Sequence, residues 1–239
     1  MSVLQVIFNE VLYRPVLNAL MLLYQYIPGG DFGVAIIVLT LIVKTLLFPS
    51  TLKSIKAQRE LQEIQPKIKE LQEKHKDDKA AQGKALMELY QKEGINPAAG
   101  CLPMLAQLPI LIALFLVLRN VSGGDGITQD GLYSFISAPE QISLVFLGVL
   151  NLAKASPIIA VLAGILQFFQ MKMTIPKTIK SSSKNDFAGI MQKQMLYFFP
   201  FFTMLILWRL QSAIGLYWIT TTLFSIGQQY IAFKNKKDV

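Results

Sequence analysis

The chain has 239 residues, of which 53% are hydrophobic and 16% charged. Soluble domains carry about 25% charged residues, so this composition is too charge-poor for an ordinary soluble protein and too apolar for a disordered one. The net charge of +8 fits a membrane protein with basic loops or a nucleic-acid binder, and the placement of the charges must decide between them.

Residues 1–31 are apolar with a polar stripe, Gln5, Asn9, Asn18 and Gln25, at near-helical intervals. The pattern predicts an extracytoplasmic helix lying in the membrane interface rather than spanning it, ended by Pro28-Gly29-Gly30-Asp31. Glu10 interrupts the stretch and no basic segment precedes it, so it does not read as a secretory signal. Residues 32–48 are the first expected span. Seventeen residues cover about 25 Å, short of a hydrocarbon core of about 30 Å. Pro49 closes the span, and Lys44 is its only charge.

Residues 49–99 change character. Charges dominate, while Leu52, Ile55, Leu61, Ile64, Ile68 and Leu71 keep mostly helical spacing. Pro66 should kink or restart that helix. Residues 76–83 read as a turn and 84–93 as a second, shorter helix with Leu86, Leu89 and Tyr90 on one side, stopped at Gly94-Ile95-Asn96-Pro97. The expectation is a cytoplasmic helical hairpin.

Residues 100–233 hold four further expected spans: 101–118, with Pro103, Gln107 and Pro109; 157–173; 195–210; and 213–233. The last two are joined by a very tight turn. Residues 142–152 are apolar but too short to cross, and are placed at the interface. Residues 234–239 form a short basic cytoplasmic tail. Basic residues orient the whole: of 23, ten lie in the hairpin, five in 171–194 and three in the tail, all on one side, against Arg14, Arg119, Lys154 and Arg209 on the other. The reading is an all-α polytopic protein of five spans, N-terminus outside and C-terminus in the cytoplasm.

The inventory bears on chemistry. One cysteine, Cys101, and one histidine, His75, allow neither a disulfide framework nor the usual zinc sites, and there is no P-loop. Cys101 reads as a small apolar residue at a span entrance and His75 as a solvated one. Every carboxylate lies outside the expected spans, which argues against a proton-coupled transporter and against intramembrane proteolysis. No enzyme activity, metal or cofactor is expected. The hairpin carries ten basic and eight acidic residues, too weak an excess for phosphate binding, so no direct nucleic-acid readout is expected. Lys44 stands out, because a charge inside a span costs about 2.5–3.5 kcal/mol at the helix centre. Two readings stand. Four residues from the span end, Lys44 can snorkel to the headgroups, or it can be a cation in a wet cavity. Gln107, Gln167, Gln170 and the polar run Thr220, Thr221, Thr222, Ser225, Gln228 and Gln229 fit a cavity, or hydrogen bonding between helices. Met171, Met173, Met191 and Met195 read as interface packing.

Thr40-Leu-Ile-Val-Lys44, Pro49, Gln65-Pro66-Lys67, Asn96-Pro97, Gly100-Cys101, Pro103, Gln107, Pro109, Gln167–Lys172, Gly215-Leu-Tyr-Trp218 and Gln228-Gln229 resemble, in order and spacing, the YidC/Oxa membrane protein insertases over nearly the whole chain. The resemblance implies five helices around a hydrophilic groove, open to cytoplasm and lipid and closed outward. The family's groove cation falls on Lys44, where Arg is usual. Lysine keeps the charge and loses the bidentate fork. By position the substrate-binding groove takes Lys44, Thr40, Gln107, Leu111, Tyr217 and Trp218. The large extracytoplasmic domain and long basic tail of some members have no counterpart in this sequence, so a minimal form with a weak ribosome tether is expected. The implied function is membrane insertion in a bacterial plasma membrane: short hydrophilic tails of nascent membrane proteins are moved across the bilayer and their spans released into lipid. The implied partners are those nascent chains, the ribosome and Sec translocon, and anionic lipids at the cytoplasmic face. The competing class is a lipid-scrambling or ion-conducting protein with a partner-binding hairpin.

Overall fold

The computed structural model describes residues 3–96, 102–122, 127, 129–139, 141–174 and 187–234. Cys101, Gly100 and Pro97, much of the basic loop after the third expected span, and the tail beyond Lys234 lie outside them. The described chain is helical, with one two-stranded ribbon. It divides into two compact units, one of residues 1–46 and 107–227, the other of 47–106 and 228–239.

In the first unit, α1 (Val3–Phe8), a π-helical turn (Asn9–Tyr13) and α2 (Arg14–Tyr26) run on continuously. By length and composition Gln5–Tyr26 is apolar enough to cross a membrane. Its side chains also bond to a later part of the same unit. Tyr13 accepts from Asn120 at 2.8 Å, Asn18 accepts from the Tyr133 amide at 2.6 Å, and Tyr24 accepts from the Ser143 amide at 2.9 Å. The helix from Tyr13 to Tyr24, twelve residues or about 16 Å end to end, thus bonds at three points to the chain between residues 120 and 143. Leu17, Leu20 and Met21 are buried beneath it.

The chain then turns through Gly29 and Gly30, both at positive φ, into α3 (Phe32–Leu46). Asp31 caps α3, its Oδ1 accepting from the Gly33 and Val34 amides at 2.8 and 3.1 Å, which satisfies two donors that a helix start leaves open. Its Oδ2 accepts from the Leu147 amide at 2.7 Å. That bond ties α3 to the antiparallel ribbon β1 (Val145–Phe146) and β2 (Leu150–Asn151). The apolar stretch at 142–152 is therefore a hairpin. Its backbone groups are paired across the ribbon, and Phe146 fills the space above Gly33.

α7 (Leu102–Ser122), α8 (Pro157–Thr174), α9 (Phe187–Leu207) and α10 (Ser212–Lys234) follow. α8 qualifies by length and apolarity as a span, while Gln107–Val121 and Leu196–Leu207 are shorter apolar segments. Gly164 lets α8 approach the Pro200 carbonyl and Met204 of α9 closely, and Gly215 of α10 lies against Ile159 of α8. Ser212 anchors α10 to the ribbon side: its amide and hydroxyl both donate to the Lys154 carbonyl, at 2.8 and 2.6 Å. The core runs through Ile36, Leu118, Ala160 and Ile214 and on to Leu132, Ile136 and Leu152 between the helices. These loop residues close the end of the unit at which α3 begins.

In the second unit, α4 (Phe48–Glu63) and α5 (Gln65–Lys74) meet at Ile64, with Pro66 in the first turn of α5. Proline thus restarts the helix, since its missing N–H is no loss there. α6 runs Lys79–Glu93, five residues earlier than the sequence spacing predicts. Asp78 is the reason: its carboxylate accepts from the Ala80 and Ala81 amides at 3.0 Å, so helix begins where charge and Gly83 had read as a turn. Gly94 closes α6 at φ 67°. Lys67 donates to Glu93 at 2.6 Å and Gln82 to the Gln72 carbonyl at 3.0 Å, joining α5 to α6.

Candidate functional site around Lys44

Lys44 lies in the last turn of α3 and is half-buried. It lines a small, open cavity with Leu39, Thr40 and Val43 of the same helix. Gln107, Ile110 and Leu114 of α7, Tyr217 of α10 and Val16 of α2 complete the lining. None of the nine lining residues is acidic, and Lys44 takes part in no ion pair among the described residues. It thus stands beside apolar walls with no carboxylate partner among the described residues.

Three polar groups of the lining are already engaged. The Gln107 amide donates to the Tyr217 hydroxyl, joining α7 to α10. Thr40 donates to the Ile36 carbonyl of its own helix at 2.6 Å, which keeps a buried hydroxyl satisfied.

Of the six residues that the motif positions single out, four, Lys44, Thr40, Gln107 and Tyr217, meet at this cavity. Leu111 and Trp218 do not line it. Leu111 packs on the core, and the Trp218 indole N–H donates to Gln167 Oε1 of α8 at 2.8 Å. That bond accounts for buried Gln167 as a link between helices. Helical periodicity alone would have found Leu39 and Val43 beside Thr40 and Lys44, and Ile110 and Leu114 beside Gln107. Nothing local marks Val16, which arrives through the turn between α2 and α3. Among the described residues no group of His, Cys, Asp and Glu could hold a metal.

Residues 22–238 match the family described as 60Kd inner membrane protein. The chain belongs to this family. In this family it is similar to proteins named membrane protein insertase YidC. It is 36% identical over 225 residues to that of Pelobacter propionicus, an alignment covering 92% of this chain and 38% of the relative. It is 35% identical over 207 residues to that of Fusobacterium nucleatum, covering 86% of this chain and 87% of the relative. With that of Clostridium tetani the figures are 35% over 207 residues, 87% and 84%. The chain thus spans well under half the length of the first relative and most of the length of the other two. Membership and the apolar helices make this an all-α, membrane-integral protein of a bacterial membrane.

Proposed function

We propose that the protein is a membrane insertase that takes short hydrophilic tails of nascent membrane proteins into the Lys44 cavity, passes them across the bilayer and releases the adjoining span into lipid. The observation that carries this is a lysine with no ion-pair partner among the described residues, on a cavity lined by Thr40, Gln107 and Tyr217 and otherwise by apolar side chains. The names of the relatives support it. The topology proposed is five spans, with α1 and α2 flat in the outer interface, the loop-closed end outward, and the basic hairpin α4–α6 and the C-terminus in the cytoplasm.

The energetics are favourable without nucleotide. A client span of about 20 residues, at roughly −0.3 to −0.6 kcal/mol each, gains about 6–12 kcal/mol on entering lipid. The obstacle is its polar tail. A carboxylate 4 Å from Lys44 is worth about 4 kcal/mol near a protein surface against about 1 kcal/mol in water, so an acidic tail gains in the cavity part of what it loses by leaving water. The membrane potential then adds about 2.3 kcal/mol per charge per 100 mV. The 15-residue α3, about 22 Å long, shortens the distance to be crossed through local thinning. No bond is made or broken, so the activity is not enzymatic. Nascent chains are the clients in this scheme. The hairpin receives them from the ribosome or Sec translocon and rests on anionic lipid.

The test is a single-span client with an acidic N-terminal tail, in cells depleted of their own insertase. Lys44→Arg should insert it, and Lys44→Ala and Lys44→Glu should fail, while a client without acidic tail residues should respond much less. Equal insertion by all three variants would reduce Lys44 to a snorkelling residue.

A further inference from the structure

We propose that the tip of the β1–β2 hairpin is a membrane anchor, with Leu147 and Val149 seated at the headgroup–acyl boundary of the leaflet at the Asp31 end of α3. The Val149 amide donates to the Phe146 carbonyl at 3.0 Å, closing a turn with Leu147 at φ 50° and Gly148 at φ 72°. Asn, Asp or Gly normally fills the first of those positions, because a left-handed backbone strains a residue with a Cβ. Leu147 is the one non-glycine residue at positive φ among those described. The strain serves no packing within the chain, since Leu147 is 68% exposed and Val149, at 89%, is the most exposed large hydrophobic side chain described.

The tip is held firmly rather than left loose. Asp31 binds the Leu147 amide, Phe146 rests on Gly33, and the buried Leu152 donates through its amide to the Leu144 carbonyl at 2.7 Å. The same carboxylate caps α3, so the tip is fixed at the level of the span's end. α3 is about 22 Å long against a hydrocarbon core of about 30 Å, which draws that end down to the hydrocarbon boundary and the tip with it.

Charge and continuity select lipid as the occupant. Residues 144–150 contain no polar or charged side chain, so the tip itself lacks the polar groups with which a protein-binding patch is rimmed. α8 starts six residues after β2. Its exposed Ile158, Val161, Ile165 and Phe169, at helical spacing, form an apolar stripe that a membrane-spanning helix turns to lipid.

The full chain carrying Cys101→Ala and either Leu147→Cys or Val149→Cys is labelled with an environment-sensitive fluorophore. It is then placed, one copy per disc, in nanodiscs of phosphatidylethanolamine and phosphatidylglycerol. Glu93→Cys supplies the aqueous reference and Ile165→Cys the lipid one. The expected result at both tip positions is blue-shifted emission, strong quenching by lipids spin-labelled near the headgroup, and several-fold less iodide quenching than at position 93. Emission and iodide quenching matching position 93 would overturn the anchor. So would protection that appears only in crowded vesicles, which would assign the tip to a second copy.

Discussion

The ring of Phe146 occupies the space that a Cβ on Gly33 would need. The contact joins the first turn of α3 to β1, beside the Asp31 carboxylate that caps the one and binds the other. Gly33→Ala should therefore destabilise the protein by about 1–3 kcal/mol, the usual cost of overpacking a rigid site. In Gly33→Ala/Phe146→Ala the clash is gone, so the double variant should lose less than the sum of the two single losses. Thermal unfolding in detergent followed by circular dichroism measures all three. Additive losses would show that the two residues do not share the site.

Asn18 is 2% exposed and makes three bonds to backbone. It donates to the Arg14 carbonyl at 2.7 Å and the Gly131 carbonyl at 3.2 Å, and accepts from the Tyr133 amide at 2.6 Å. Asn18→Leu keeps the branching at Cγ but strands the Tyr133 amide, at a cost of about 1–3 kcal/mol. The loss should be local. Protease cleavage between residues 127 and 139 should rise sharply in detergent, while the circular dichroism of the helices stays close to that of the parent chain.

Much of this architecture is legible in the sequence because its long helices are written in apolar runs. α3, α8 and α10 fall within a few residues of the expected spans, and Pro66 marks the start of α5. The loops are written in single residues instead. Asp78 as a cap and Asp31 as a double acceptor look like ordinary surface acids until their amide partners are known. The hairpin at 145–151 pairs only two residues of each strand, too few for alternation to show. At the cavity the motif positions bring Lys44, Thr40, Gln107 and Tyr217 together. Leu111 and Trp218 turn away, because the position of a motif does not fix which way its neighbours face.

The Gln107–Tyr217 bond crosses the cavity wall. Gln107→Leu and Tyr217→Phe each remove it, so the double variant should be little worse than either single one. A coupling of about 0.5–1.5 kcal/mol in unfolding free energy is expected. Insertion of an acidic-tailed client should fall less in either variant than in Lys44→Ala, because the charge stays. Insertion as poor as in Lys44→Ala would mean that the amide and hydroxyl, rather than the ammonium, carry client binding.

Gln228, near the end of α10, is 2% exposed, and neither its amide nitrogen nor its oxygen has a hydrogen-bond partner among the described residues. A buried polar group left unpaired costs about 1–3 kcal/mol. Methionine has nearly the same length, no hydrogen-bond demand and a flexible stem that adapts to the space. Gln228→Met should therefore raise the unfolding free energy by an amount in that range, and Gln228→Ala should lower it by leaving a void. Gln228 does not line the Lys44 cavity, so insertion of an acidic-tailed client should be unchanged in the methionine variant. Thermal unfolding and the insertion assay together decide. A methionine variant less stable than the parent would mean that the amide is satisfied in the membrane, by water or a lipid headgroup. A stable variant that no longer inserts would make this amide part of the client's path.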